Sequence, residues 1–377
     1  MGDNTYKMEN LVFGYRKLGH GKARAAAIRC AIEQADLNND IPYMVFLREE
    51  LCSESLWYLN GLDVITIFPE ILALIDRYPD VSLTRFQKGE PDIIKPVLWL
   101  YEALLSVCSD FYQVSLGDGI KFCNDFLKRW TAYGHDAKEP YRIITEFYMS
   151  TGDMDSAGIY FNKFKQCGGT ECYCEPSCAA NTDIRYYLLD NEKEKADKIA
   201  EDILNYKIKS YSLETNAMMR MESTYMRYYI LHGDYAKAAE CAHILEYSNI
   251  ETSEFKQWMA FMCAYVHENP GHALHIYKKY YKEWHKEDNP FLKYYTFMNT
   301  ACFFKGITKE KRTGTVRIGQ NVYLPPEAVA GREGVYNINM LAEYYYNEAF
   351  GIAQRFDSRN GTNKFTDELY MSFENVL

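Results

Sequence analysis

Four cysteines lie within thirteen residues near the middle of the chain, in the stretch QCGGTECYCEPSC. They are Cys167, Cys172, Cys174 and Cys178. Four thiolates that converge on one point hold zinc tetrahedrally, at Zn–S distances of about 2.3 Å. Because Gly168, Gly169 and Pro176 allow a sharply folded loop, the cluster is a candidate structural zinc site. A surface loop of reduced thiols and a reversible disulfide sensor are the alternative interpretations.

Other residue patterns that could do chemistry are weaker. His267, His272 and His275 surround one predicted turn, but no carboxylate or cysteine is placed to complete a metal site with them. We therefore interpret them as surface or core histidines. The sequence has no Gly-x-Ser-x-Gly, no His-Glu-x-x-His and no phosphate-binding glycine loop. Nothing in it predicts a catalytic site, and we expect a non-enzymatic protein.

Composition excludes several classes of partner. The 377 residues include 42 lysines and arginines and 52 acids, for a net charge of −10. Such a chain is repelled by nucleic acid phosphates. The first residues, MGDNTYKMENL, hold no apolar segment typical of a secretory signal, and no apolar run approaches the roughly 18 residues of a membrane span. We expect a cytoplasmic protein that binds neither nucleic acid nor membranes, with its eleven cysteines reduced or ligating metal.

A repeated pattern predicts the elements that position these residues. It recurs in TGDMDSAGIYF, LDNEKEKADKIA, HGDYAKAAECA and HENPGHALHIY. Each stretch has a turn, then an alanine (Ala157, Ala196, Ala238 and Ala273), then Phe161, Ala200, Ala242 or Tyr277 four places later. A small residue lets two helices approach closely, and residues four apart share one helix face. Glycine followed by aspartate, as at Gly152 and Gly233, ends one helix and caps the next.

The alanines are 39, 42 and 35 residues apart, and a tetratricopeptide unit is about 34 residues long. The pattern therefore predicts an all-α, right-handed solenoid of seven or eight tetratricopeptide-like helical hairpins. We expect degenerate hairpins over 1–135, tetratricopeptide-like repeats with the cysteine loop over 136–305, and a C-terminal region over 306–377.

The C-terminal region departs from the repeat. Thr315 to Ile318 and Asn321 to Leu324 alternate apolar and polar residues, which predicts a short β-hairpin or irregular insertion near 312–335. A long helix from about Ile338 to Phe356 should follow and cap the array. Asn360-Gly361 provides its left-handed end.

The order of a Gly-Asp turn, a cysteine pair, IRYYLLDNEKEKA, HGDYAKAAE and RFDSRNGT resembles a family of bacterial tetratricopeptide-like proteins of uncharacterised function. The resemblance covers about residues 140–370. Family members typically carry Cys-x-x-Cys before the helix that begins here near Ala179. Cys178 matches the second of those cysteines, whereas Glu175 replaces the first and Ser210 replaces a later one. The resemblance implies the fold and a bacterial source, but no activity.

In a tetratricopeptide hairpin the first helix lines the concave groove. Alignment on the alanines predicts partner-binding positions at Arg142, Asn181, Arg185, Arg220, Arg227, Trp258, Met262 and Tyr265. Arg185, Arg220 and Arg227 would be polar anchors, with Trp258 and Tyr265 as apolar ones. This layout favours a protein or peptide with an acidic segment and an apolar end.

The predicted function is thus protein or peptide binding through the groove. A peptide-sensing regulator and an immunity-type protein that neutralises a toxin are the alternatives. The groove would be either open or filled by the chain's own C-terminal segment.

Overall fold

The computed structural model describes residues 3–78, 94–168, 176–208, 217–247, 255–310, 314–319 and 323–376. The described residues form seventeen α-helices and one two-stranded sheet, which confirms the all-α prediction. The chain divides into two compact units, Met1–Trp130 and Thr131–Leu377. None of the described helices is both long enough and apolar enough to span a membrane.

The first unit holds six helices, the last of which extends slightly beyond its boundary. They are α1 (Asp3–Arg16), α2 (Lys22–Leu37), α3 (Ile41–Tyr58), α4 (Val64–Arg77), α5 (Ile94–Asp110) and α6 (Leu116–Ala132). From α1 to α5, each helix packs against the next. Glu54 ties α3 to the start of α2, because its carboxylate accepts from the Gly21 amide at 2.6 Å and lies 3.2 Å from Arg24 Nε.

The second unit holds eleven helices and both strands. They are α7 (Lys138–Thr151), α8 (Met154–Gln166), α9 (Pro176–Leu189), α10 (Lys193–Leu204), α11 (Ala217–Leu231), α12 (Tyr235–Tyr247), α13 (Phe255–Ala264), α14 (Pro270–His285), α15 (Pro290–Glu310), β1 (Thr315–Arg317), β2 (Val335–Asn337), α16 (Ile338–Asn360) and α17 (Lys364–Glu374). Helices α7 to α16 pack as five consecutive pairs, and the first helix of each pair also contacts the first helix of the next.

Alanine lies where the paired helices approach closely, as the repeated pattern predicts. Ala157, Ala196, Ala238 and Ala273 are all fully buried. Of the residues four places later, Phe161, Ala242 and Tyr277 are buried and Ala200 is half-buried. The four alanines therefore belong to a continuous apolar interior between the helix pairs.

The two Gly-Asp turns also have the predicted geometry. Gly152 ends α7 with φ +87, and the Asp153 side chain accepts from the Ser156 amide at the start of α8. Gly233 has φ +74, and Asp234 accepts from the Lys237 amide at 3.3 Å. Both glycines adopt the left-handed conformation that side chains disfavour.

The C-terminal region differs from the prediction in two respects. β1 pairs antiparallel with β2, which immediately precedes α16, and not with the predicted strand Asn321 to Leu324. Of that segment, Tyr323 and Leu324 are described and lie in a turn. α16 continues to Asn360 and ends at Gly361 with φ +70, as expected, but a further helix, α17, follows it.

Candidate interaction site

The C-terminal helix α17 lies against the first helices of the pairs. We call the surface made by α7, α9, α11, α13 and α15 the first-helix face. α17 packs on α11 and α15, and it also contacts α16, which precedes it in the chain. α17 therefore covers part of the first-helix face, on α11 and α15.

Lys364 fixes the start of α17 to the end of α7. Its ammonium donates to the carbonyls of Met149 at 2.7 Å and Ser150 at 3.0 Å, which lie in the last turn of α7. A cation at this position satisfies free carbonyls and opposes the negative end of the helix dipole. Burial lowers the pKa of Lys364 from 10.5 to about 8.

The end of α17 is fixed to α11 and α15. The Asn375 side-chain amide donates to the carbonyl of Leu231, the last residue of α11, at 2.9 Å. Lys305 of α15 donates to the Phe373 carbonyl at 2.6 Å and lies 3.2 Å from Glu374 Oε1. α17 thus bridges the ends of two first helices that are separated by one helix pair.

Apolar packing and an N-terminal cap hold α17 between these points. Phe365, Leu369 and Val376 are fully buried, and the Phe365 ring stacks on Phe356 with centroids 4.6 Å apart. The Asp357 carboxylate accepts from the amides of Phe365 and Thr366, both at 2.9 Å. A residue of α16 therefore supplies the cap that the first turn of α17 requires.

An acidic residue of α17, Glu368, lies near one of the predicted arginines, Arg227. Glu368 accepts from the Tyr295 hydroxyl at 3.1 Å, and the Arg227 guanidinium lies 5.3 Å from the Tyr295 ring centroid. Burial raises the pKa of Glu368 above 4.5, although the charges of Lys364 and Arg227 oppose the rise. Glu368 is thus an acidic side chain of the C-terminal segment beside Arg227.

The N-terminal groove positions have partners within the stack. Arg142 is buried in α7 and pairs with Glu139 at 2.6 Å and Glu146 at 2.9 Å. Glu146 also accepts from Thr182 of α9 and lies 3.8 Å from Arg185 Nη1. Burial alone would raise the pKa of Glu146. The charges of Arg142 and Arg185 outweigh that effect, so the pKa lies below the usual 4.5.

The next two positions lie between α9 and α11. Asn181 accepts from the Thr224 hydroxyl at 3.0 Å and so links these first helices. Arg220 is half-buried on α11, whereas Arg227 is exposed.

Two of the three C-terminal groove positions, Met262 and Tyr265, are buried. Met262 is fully buried and Tyr265 is 1% exposed, so neither is available to a partner. The Tyr265 hydroxyl donates to Glu246 at 2.9 Å, because a buried phenol needs a polar partner. Trp258 belongs to α13, but its side chain lies outside the described residues. The buried Met262 and Tyr265 thus differ from the groove-lining positions that the alignment predicts.

Half of the cysteine cluster lies outside the described residues, namely Cys172 and Cys174. Cys167 follows the last residue of α8, with its Sγ 3.9 Å from Asp136 Oδ1, and Cys178 lies in the first turn of α9. Among the described residues, no group of three or more His, Cys, Asp or Glu side chains could hold a metal ion. The zinc site stays a prediction.

A cleft of about 410 Å³ opens on the other side of α11, between α10 and α12. We call it the second-helix cleft. Its lining residues are Asp197, Ala200, Glu201 and Leu204 of α10, Glu222, Tyr225 and Tyr229 of α11, and Lys237, Glu240, Cys241 and Ile244 of α12. Leu204 is 51% exposed at its edge, whereas Tyr225 is buried in its floor. Arg227, which lies near Glu368 of α17, is two residues from both Tyr225 and Tyr229 and so points away from the cleft, which allows α11 to serve both surfaces.

Carboxylates dominate the charge of this cleft. Asp197 is paired with Lys193 at 2.7 Å and accepts from the Tyr225 hydroxyl at 2.8 Å. Glu222 and Glu240 form no ion pair with any other residue that the structure describes. Burial raises the pKa of Glu222 above 4.5, a hydrogen bond with Cys241 lowers it, and Glu240 raises it again.

The sequence analysis does not predict this cleft, although the sequence contains one indication of it, an acidic residue on an apolar helix face. Met218, Glu222 and Met226 are spaced by four residues, so Glu222 is a single acid on an otherwise apolar helix stripe. The gap between α10 and α12 depends on how neighbouring pairs stack, which residue spacing does not specify.

Comparison of the chain with protein-family profiles, with curated proteins and with solved structures gave no match.

Proposed function

We propose that the protein is a non-enzymatic protein-binding module, in which the helix pairs form a right-handed, tetratricopeptide-like solenoid. It would act in the cytoplasm, on a protein or peptide partner, without nucleic acid or membrane. In contrast to the expectation from sequence, the partner would bind at the second-helix cleft and not at the first-helix face.

The observation that carries this proposal is the contrast between the two sides of α11. α17 packs on one side of α11, near the exposed Arg227, whereas the other side has an open cleft with a tyrosine floor and the exposed Leu204 at its edge. Aromatic side chains beside exposed apolar ones are typical of protein interaction surfaces. The cleft provides them without any rearrangement of the fold.

The energy needed to release α17 argues against the first-helix face. Burial of Phe365, Leu369 and Val376 contributes about 5–9 kcal/mol as an upper estimate. The bonds of Lys364, Asn375 and Lys305 would also be lost. A partner that binds with micromolar affinity gains only about 8 kcal/mol. Displacement would therefore consume nearly all the binding energy of such a partner.

One alternative is favoured by a specific observation. Arg185 and Arg227 lie close enough to α17 to influence the pKa values of its Lys364 and Glu368. A peptide-sensing regulator would use these arginines for an acidic helical peptide that competes with α17. Such a peptide would have to reproduce the contacts of Phe365 and Leu369 as well.

Leu204→Lys tests where the partner binds. The full-length protein would be immobilised and exposed to an extract of the cells that carry its gene, with bound proteins quantified by mass spectrometry. Leu189→Lys is the matched control, since Leu189 is also an exposed leucine at the last position of its helix. We expect at least one protein to bind wild type and the control, but about tenfold less to Leu204→Lys.

Equal retention by all three proteins would contradict the assignment of the cleft. Loss of the partner with Arg227→Glu, but not with Leu204→Lys, would instead support the regulator. Thermal unfolding of each variant checks that the exposed substitutions leave the fold intact.

A further inference from the structure

We infer that the second-helix cleft receives a basic segment of a partner protein, in which an arginine or lysine lies between apolar side chains. The cation would approach Glu222 and Glu240 while its apolar neighbours contact Tyr229 and Leu204. This inference rests on the proposed function, because it names the chemistry of the partner for the same surface.

The cleft has an acidic character that its own lysines do not neutralise. Lys193 pairs with Asp197 at 2.7 Å, and Lys237 pairs with Asp234 at 2.8 Å. Glu222 is 8% exposed and Glu240 is exposed, and neither has a cationic partner among the residues that the structure describes. A buried carboxylate without a counter-charge is costly, and an entering cation would remove that cost.

The tyrosine floor also favours a cation. Lys193 Nζ lies 5.5 Å from the Tyr225 ring centroid, and Lys237 Nζ lies 5.4 Å from that of Tyr229. Both rings thus accept an ammonium group, from Lys237 in the cleft lining and from Lys193 outside that lining. An arginine between them would gain both stacking and a charge-assisted hydrogen bond.

The pKa of Glu222 is consistent with a carboxyl group that has no cation beside it. Its pKa is raised above 4.5 by burial and by Glu240. A guanidinium beside it would favour the ionised form and lower that pKa. The affinity for a basic segment should therefore increase as pH rises through the pKa of Glu222 in the free protein.

A direct test uses full-length protein and a fluorescent helical peptide of leucines, alanines and arginines. A second peptide has citrulline in place of each arginine, which keeps the shape and removes the charge. Anisotropy titrations at about 0.15 M salt would compare wild type, Glu222→Gln/Glu240→Gln and Glu194→Gln/Glu283→Gln. The last variant removes the same number of charges at exposed positions outside the cleft.

We expect the arginine peptide to bind wild type and the Glu194→Gln/Glu283→Gln control alike, to within about twofold. Binding to Glu222→Gln/Glu240→Gln should be weaker by about tenfold or more, and the citrulline peptide should show a similar loss on wild type. Equal binding to the two double variants would overturn the inference, since only overall charge would then matter. Equal binding of the two peptides would overturn it as well.

Two sets of variants distinguish a wrong assignment of the basic segment from a wrong assignment of the cleft. If Leu204→Lys loses a cellular partner while Glu222→Gln/Glu240→Gln retains it, the cleft binds a partner but not through a cation. Unfolding temperatures provide the folding control, and we expect Glu222→Gln to be at least as stable as wild type because it removes a buried charge.

Discussion

Individual side chains in the second unit carry both stability and pH sensitivity. His285 of α14 is an example, since its Nε2 lies 2.8 Å from the Tyr345 hydroxyl, which lies 3.0 Å from that of Tyr277. Its ring also stacks on Tyr323, with centroids 5.3 Å apart. Burial lowers the pKa of His285 from 6.5 to about 4, with Lys293 adding to the shift, so the folded protein holds the neutral imidazole.

His285→Phe should reduce the sensitivity of the protein to mild acid. Between pH 6.5 and about 4, His285 takes up a proton when unfolded but not when folded, so the free energy of unfolding falls as pH decreases. The limit for one such group is about 1.4 kcal/mol per pH unit. We expect urea unfolding at pH 6.5 and 4.5 to show a smaller decrease for His285→Phe than for wild type. The exposed His275 is on the same helix, and His275→Phe should keep the wild-type slope.

Gly152 and Gly233 have a second role beyond ending their helices. An added Cβ would lie 2.8 Å from Lys364 Cβ at the first position and 2.9 Å from the Asn375 carbonyl at the second. These glycines therefore let the C-terminal segment approach both ends of its path. At Gly361, φ is +70 but nothing lies within 4 Å of the added Cβ.

Substitution of Gly152, Gly233 and Gly361 by alanine, one at a time, distinguishes the cost of backbone strain from the cost of a steric clash. All three variants should lose about 1 kcal/mol of unfolding free energy, because φ is positive. Gly152→Ala and Gly233→Ala should lose about 1–3 kcal/mol more, because the C-terminal segment must shift. Chemical denaturation measures the difference, and equal losses at all three positions would contradict the described path of α17.

At the scale of elements, the helix pairs were predictable because residue spacing encodes which face of a helix is buried. The alanine positions, the Gly-Asp turns and the end of α16 at Gly361 were all identified correctly. Phe365, Leu369, Ser372 and Val376 form a helical stripe, which is the sequence signal for α17. The surface against which that stripe packs could not be predicted, because it combines helices distant in the sequence.

Ala196→Leu tests the close packing of a helix pair. Ala196 is fully buried, so three added carbons have no space and should lower the free energy of unfolding by about 1–3 kcal/mol. Ala200, four residues later on the same helix, is half-buried, and Ala200→Leu should change stability by less than about 0.5 kcal/mol. Urea unfolding of the two variants gives the comparison. A larger loss at Ala200 would contradict the assigned helix face.

Asp357→Ala tests the attachment of α17. Removal of the carboxylate leaves the Phe365 and Thr366 amides without their acceptor, which should cost about 1–2 kcal/mol. Asn363 precedes α17 but its side chain makes no capping bond, so Asn363→Ala should have little effect. Amide hydrogen exchange within α17 should accelerate only in Asp357→Ala. Acceleration of the same size in both variants would remove the proposed role of Asp357.

In the whole molecule, α17 packs on one side of α11, and we propose that a partner binds at the cleft on the other side. The sequence placed Arg185, Arg220 and Arg227 on one side of the helices, and it matched them to an acidic and apolar segment. It could not show that α17 packs on α11 and α15, since packing and not local pattern decides which part of a chain covers a surface. The second-helix cleft likewise depends on how the helices pack and not on local pattern.

Hydrogen–deuterium exchange with and without the arginine peptide tests this division most directly. We predict slower exchange in α10 and α12 on binding, with the exchange of α17 unchanged. Faster exchange in α17, together with protection of α15 and not of α10 and α12, would contradict the account, because the ligand would then have replaced the C-terminal helix on the first-helix face.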